Sequence, residues 1–96
     1  MFGFGNDLLD ATPDSTLDLH GDTAHQAERR VKDFVRAQAL LRGERVIHII
    51  TGRGLGSKRG PVLLGVVNRL LGSELSAQVV EYDKDLDDGG FLVRLR

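Results

Sequence analysis

The chain has 96 residues, of which 41% are hydrophobic and 28% charged, and its net charge is -1. This length and composition predict one globular domain and exclude a disordered chain. The absence of cysteine excludes disulfides, a thiolate nucleophile and cysteine-bound zinc. The near-neutral charge excludes coating of nucleic acid through the overall field. Without a signal sequence or an apolar run of membrane length, we expect a cytoplasmic protein that does not contact membranes.

The chain begins with a segment unlike the rest. Residues 1–15 are rich in glycine and polar residues, which predicts a flexible N-terminal arm and leaves 16–96 as the folded domain. Leu17 and Leu19 then alternate with polar residues, which is typical of a half-buried strand. Gly21 is expected to end this first strand.

A helix and a second strand follow. Thr23 and Gln26 have the spacing of a capping box, so we expect a helix over 23–42 with Gly43 as its C′ residue. The β-branched run at 46–50 predicts a buried strand in the centre of the sheet.

The second half of the chain repeats this alternation and ends in two strands. Pro61 fits the first turn of a helix that Gly72 ends, and strands are predicted over 77–82 and 91–95. The order β-α-β-α-β-β predicts an α/β two-layer sandwich. Its mixed four-stranded sheet has both helices on one face, and its first three strands pair in parallel through right-handed crossovers.

Two polar side chains near the end of the first strand are the first candidates for chemistry. Asp18 and His20 are two residues apart and therefore share one face of the predicted strand. His20 is suited to carry a proton while Asp18 orients its ring and stabilises the imidazolium. The alternative is structural: Asp18 pairs with a cation or accepts backbone N–H bonds, and His20 caps the strand.

The second candidate is the glycine-rich segment 51–60, which follows the second strand and leads into a helix. Backbone N–H groups at a helix start together with Arg53, Lys58 and Arg59 suit a phosphate group. The alternative is an ordinary glycine-rich connection. Since ligands bind at the carboxyl ends of strands in open α/β sheets, both candidate segments are expected at one edge.

The other titratable residues are expected to be structural. His25 in the first turn of a helix and His48 within an aliphatic strand fit satisfied roles, and the acidic segment 85–88 fits a solvated hairpin loop. A metal site from Asp18, His20 and His25 lacks a closed ligand spacing, so no metal ligand is predicted. The cations of the first helix fit its solvated face.

Two motifs resemble those of a known family. The chain has LDLHG at 17–21 and TGRG at 51–54, and in this order and spacing it resembles the small MutS-related (Smr) domain family over about residues 16 to 96. The resemblance implies a fold like that of the C-terminal domain of bacterial translation initiation factor three. It also implies endonuclease activity on RNA, or nicking of DNA, in many members.

The resemblance also assigns residues by position. Asp18 and His20 match the proposed catalytic pair of the family. The motif linked to substrate binding and activity corresponds to Thr51, Gly52, Arg53 and Gly54. Lys58 and Arg59 are also predicted to bind substrate, because of their charge and their place in the same segment.

These observations predict a small endonuclease that cleaves or nicks nucleic acid, with RNA favoured over DNA as the substrate. No cofactor is required if the 2′-OH of RNA is the nucleophile, whereas DNA nicking by water favours a divalent metal ion. The expected partner is nucleic acid, in a ribosome or repair context according to the resemblance. One alternative is a non-catalytic nucleic-acid-binding module that uses the same edge, and another is a protein-interaction domain. RNA and DNA remain open as substrates, as does the oligomeric state.

Overall fold

The computed structural model describes residues 8–41, 43–52, 60–85 and 89–96. Its regular elements alternate along the chain as predicted. They are β1 (Ser15–Asp18), α1 (Ala24–Ala39), β2 (Arg45–Ile50), α2 (Gly60–Gly72), β3 (Val79–Lys84) and β4 (Gly90–Leu95), with short 3-10 turns at Leu8–Asp10 and Ser76–Gln78. The predicted α/β class and the order β-α-β-α-β-β are confirmed.

The sheet has the strand order β1-β2-β4-β3. β1 and β2 are parallel, whereas β4 is antiparallel to both of its neighbours, β2 and β3. The central position predicted for the second strand is confirmed. The prediction that the first three strands pair in parallel is wrong for β3, which has the direction of β1 and β2 but pairs with β4. β4 is buried on both faces and β3 is mostly exposed, so β4 takes the interior position and β3 the edge.

Both helices cover one face of this sheet, as expected. Their buried side chains belong to the same apolar cluster as the inward-facing side chains of all four strands. On the helices these residues are Ala27, Val31 and Val35 of α1 and Leu63, Val67, Leu70 and Leu71 of α2. None of the described helices has the length and apolarity needed to cross a membrane.

A second, smaller cluster covers part of the opposite face. Leu8 is buried against Val46 of β2 and Leu92 of β4. Asp14 adds two hydrogen bonds, since its N–H donates to Val46 O at 2.7 Å and its Oδ2 accepts from Val46 N–H at 2.9 Å. The segment just before β1 is therefore held to the sheet, whereas residues 1–7 lie outside the described part of the chain.

Helix α1 begins as predicted but ends earlier. Thr23 and Gln26 form the capping box, with Thr23 Oγ1 accepting from Gln26 N–H at 3.1 Å and Gln26 Oε1 accepting from Thr23 N–H at 2.9 Å. The C-cap is Leu40, whose side chain is 86% exposed. Helix α1 ends at Ala39, so the predicted end at residue 42 is wrong. Gly43, with φ of 82°, is not the C′ residue.

A group of charged side chains links α1 to the end of α2. Lys32 lies 3.0 Å from Glu28 and 2.8 Å from Glu74, and Arg69 lies 3.0 Å from Glu28. Hydrogen bonds from Lys32 and Arg69 lower the pKa of Glu28, and hydrogen bonds from Glu74 and Glu28 raise the pKa of Lys32. Both shifts favour the charged forms that the folded state pairs.

The Glu28 contacts predict a dependence of stability on acid. A lowered folded-state pKa gives a contribution that is present above the usual value of 4.5 and is lost as the pH falls through the folded-state value. Between neutral pH and pH ~3, we therefore expect wild type to lose more stability than Glu28→Gln. Urea midpoints measured across this pH range test the expected difference. If the midpoints of the two proteins fell equally with pH, that result would contradict the expectation. Asp33→Asn on the exposed side of α1 is the control.

Candidate functional site

The two segments singled out in the sequence adjoin at the carboxyl ends of β1 and β2. Asp18 pairs with Ile50 in the parallel register, and Leu19 N–H donates to Ile50 O at 2.7 Å. His20 directly follows Leu19 in the chain, and Thr51 directly follows Ile50. The fold therefore brings the Asp18–His20 segment beside the start of the glycine-rich segment at one edge of the sheet.

Asp18 shapes the turn that presents His20. Its Oδ1 accepts the backbone N–H of His20 at 2.9 Å, as in an Asx turn. This bond ends β1 at Asp18, so the predicted continuation of the strand to Gly21 is wrong, and Gly21 takes a φ of 87° in the turn. The side chains of Asp18 and His20 are both exposed. The contact between them joins carboxylate and backbone, as in the structural alternative weighed above.

Thr51 and Gly52 are fixed by one carbonyl group. Gly89 O accepts Thr51 N–H at 2.8 Å, Gly52 N–H at 3.1 Å and Thr51 Oγ1–H at 3.2 Å. Thr51 is the only fully buried polar residue among those that the structure describes. Gly52 has a φ of 96°, which favours glycine at this position. The start of the glycine-rich segment is thus attached to the residue that precedes β4.

Removal of the Thr51 hydroxyl is expected to destabilise the fold moderately. Thr51→Val keeps a branched side chain but loses the Oγ1 bond to Gly89 O, while two N–H donors still satisfy that carbonyl. We expect a loss of about 0.5–1.5 kcal/mol, measured as a lower urea midpoint with an unchanged m-value. Thr16→Val on the exposed face of β1 is the matched control. A Thr51→Val midpoint equal to that of the control would contradict this account.

His48 and Asp85 form a bonded pair that the sequence did not reveal, and Asp85 in turn bonds to the backbone of Gly89 and Gly90. His48 Nε2 lies 2.8 Å from Asp85 Oδ2, and these side chains are 25% and 13% exposed. Asp85 Oδ1 accepts Gly89 N–H at 3.0 Å, and Asp85 N–H donates to Gly90 O at 3.1 Å. For Asp85 the expectation of a solvated loop is therefore wrong. The available signal was an aspartate shortly before a Gly-Gly turn, a place where such side chains bond to the backbone.

The remaining site predictions fall partly outside the described structure. Arg53, Gly54, Lys58 and Arg59 all lie outside the described residues, and α2 begins directly after them at Gly60. Within 8–41, 43–52, 60–85 and 89–96, no group of three or more histidine or acidic side chains is arranged to hold a metal ion.

Fold and edge together define a two-layer α/β domain in which the Asp18–His20 segment adjoins the Thr51–Gly52 segment at the carboxyl ends of two parallel strands. The family model for the Smr domain matches residues 17–95. The chain therefore belongs to the Smr domain family, a family of nuclease-like, nucleic-acid-binding domains. The resemblance inferred from the two motifs is confirmed. No curated protein and no solved structure matches the chain.

Proposed function

We propose that this domain is an endonuclease that cleaves a nucleic-acid strand bound across the carboxyl edge of the sheet, with RNA preferred to DNA. The observation that carries the proposal is the bond from Leu19 N–H to Ile50 O, which joins the His20 turn to the Thr51–Gly52 segment. Family membership supports nucleic acid as the substrate class. The preference for RNA rests on the chemistry of the side chains at this edge.

His20 is the proposed proton carrier. Its side chain is exposed at the edge, and imidazole is the side chain most often used in general acid–base catalysis. In RNA, His20 accepts the proton of the 2′-OH while the 2′ oxygen attacks phosphorus and the bond to the 5′ oxygen breaks. The imidazolium then returns the proton to the 5′ oxygen, and the products are a 2′,3′-cyclic phosphate and a 5′-hydroxyl.

Asp18 acts on this step through position and charge. Its Oδ1 bond to the His20 N–H holds the turn from which the ring projects. Its negative charge also stabilises the imidazolium that forms when His20 accepts a proton. The proposal therefore assigns Asp18 both a positioning role and an electrostatic role.

The negative charge of the reacting phosphate requires a positively charged group near the Thr51–Gly52 segment. Helix α2 begins at Gly60 and has no acidic residue in its first turn, so its positive dipole end favours an anion. Arg53, Lys58 and Arg59 precede this helix in the sequence. We propose that Arg53, Gly54, Lys58 and Arg59 contact the phosphate, and that Thr51 and Gly52 position the start of this segment through their bonds to Gly89 O.

Binding without cleavage is the second candidate function. One observation favours it: the Asp18 carboxylate accepts a hydrogen bond from the backbone N–H of His20. In that case the same edge binds a nucleic-acid strand through phosphate contacts alone. The strand would then be recovered intact after binding, and His20 variants would bind like wild type.

The deciding experiment compares one RNA oligonucleotide, the same oligonucleotide with 2′-deoxy residues, and DNA, each with and without a chelator. We expect cleavage of RNA with chelator present, a cyclic phosphate terminus, and no cleavage where the 2′-OH is missing. Cleavage of DNA that stops on addition of chelator would replace the 2′-OH mechanism by metal-assisted hydrolysis. Binding of every substrate with no cleavage would favour the second candidate.

A further inference from the structure

A groove lies between helix α2 and the edge strand β3, on the helix side of the sheet. Its volume is about 400 Å³, which is within the range of small-ligand sites. Leu64, Tyr82 and Phe91 give it an apolar floor. The rings of Tyr82 and Phe91 meet edge to face, with centroids 6.0 Å apart and an interplanar angle of 66°. This floor is fixed by the core, since Phe91 is 3% exposed.

Gly65 keeps the groove open. It lies in the interior of α2 and lines the groove, and a Cβ built on it would meet nothing within 4 Å. Glycine weakens a helix relative to alanine, and packing within the fold does not require glycine at this position. The missing side chain therefore costs helix stability and leaves space in the groove that a ligand can occupy.

The rim of the groove has two polar groups that bond to no other residue in the described part of the chain. The Lys84 ammonium group and the Asn68 amide form no hydrogen bond or ion pair with any described residue, and both side chains are exposed. Asp83 also lines the groove, where its Oδ1 accepts the Lys84 backbone N–H at 2.9 Å. The cation matches the phosphate of a nucleotide, and the amide and the carboxylate match the polar edge of its base. The apolar floor matches the flat ring of the base.

The groove opens near the edge that bears the candidate site. Phe91 pairs with Lys84 and follows Gly89 by two positions, which is about 7 Å along a strand. From β1 to β3 the sheet order gives three strand spacings, or about 14 Å. A nucleic-acid strand that passes His20 and then Gly52 therefore reaches the groove within a few nucleotides.

We propose that this groove binds one base of a single-stranded RNA, on the β3 side of the phosphate that is cleaved. The base lies over Gly65 on the apolar floor, the Asn68 amide contacts its polar edge, and Lys84 binds the adjoining phosphate. This assignment rests on the proposed function for its place on the substrate. The groove favours single strands, because a paired base must first be unpaired and unstacked before it can enter.

Substitution of Gly65 tests the proposal, because its effects on stability and on binding have opposite signs. Gly65→Ala is expected to raise Tm by about 2–8 °C. Gly65→Leu fills the groove and is expected to raise KM for a short single-stranded RNA about tenfold, with kcat unchanged. Ala37→Leu, which adds bulk to the exposed surface of α1, is the matched control and keeps the wild-type KM.

Binding of nucleoside 5′-monophosphates, followed by amide chemical shifts, separates this proposal from the proposed function. We expect shifts at Gly65, Asn68 and Lys84 in wild type, and weaker binding in Gly65→Ala and Lys84→Gln even if Gly65→Leu does not fold. Wild-type KM in the Gly65 variants, or no shifts at these amides, overturns the groove assignment while the endonuclease proposal stands. Shifts at the groove in a protein that cleaves no RNA support the groove and overturn the endonuclease proposal.

Discussion

Replacement of His20 by alanine is expected to lower the rate of RNA cleavage by about 10²–10⁴-fold. The physical reason is that His20 is the proposed carrier of the proton that leaves the 2′-OH. Because its side chain is exposed, the substitution should leave Tm close to that of wild type. Single-turnover cleavage with enzyme in excess measures the chemical step, and RNA binding measured separately should change little.

Two substitutions of Asp18 provide the controls for this result. Asp18→Asn keeps an oxygen that can accept the His20 N–H, whereas Asp18→Ala removes both the acceptor and the charge. We expect Asp18→Ala to cleave more slowly than Asp18→Asn, and both to cleave more slowly than wild type. Equal rates for the two variants would assign Asp18 a charge role alone. A wild-type rate in His20→Ala would exclude the proposed mechanism.

Gly90→Ala is expected to be the most destabilising of the substitutions considered, with a loss of about 2–4 kcal/mol. A Cβ at Gly90 would overlap the backbone oxygen of Ile49 and would lie 3.0 Å from Ile49 C and Ile50 Cα. These are backbone atoms of the central strand β2, so no rotation of a side chain relieves the contact. Thermal unfolding and urea unfolding measure the loss.

The matched control for Gly90→Ala is Gly72→Ala at the end of α2. Its Cβ would lie 3.3 Å from the hydroxyl oxygen of Tyr82, which is the end of a side chain that can shift. We therefore expect Gly72→Ala to change stability by less than about 1 kcal/mol. A Gly90→Ala protein as stable as the Gly72→Ala protein would mean that β4 does not approach β2 as closely as the structure describes.

Local patterns in the sequence were sufficient to predict most of the fold. The alternation at Leu17 and Leu19 marked β1, and the Thr23–Gln26 spacing marked the start of α1, because both signals act within a few residues. The partner of β3 was not predictable in this way. It depends on the greater burial of β4, and that burial is a property of the assembled sheet.

The candidate site was predictable to a similar extent. The rule that ligands bind at carboxyl ends of strands led to Asp18, His20 and Thr51 at one edge. The bond between His48 and Asp85 joins residues 37 positions apart, and the bonds that Thr51 donates to Gly89 O join residues 38 positions apart. Spacing along the chain gives no signal for such pairs, so the residues that hold the glycine-rich segment appeared only in the structure.

The interior strand β4 is the last of the four in the order of synthesis. Until residues 90–95 have been synthesised, β2 and β3 both lack β4, the strand that joins them in the complete sheet. Gly89, which anchors Thr51 and Gly52, precedes that strand directly. The edge that bears the proposed site can therefore form completely only after this segment has been translated.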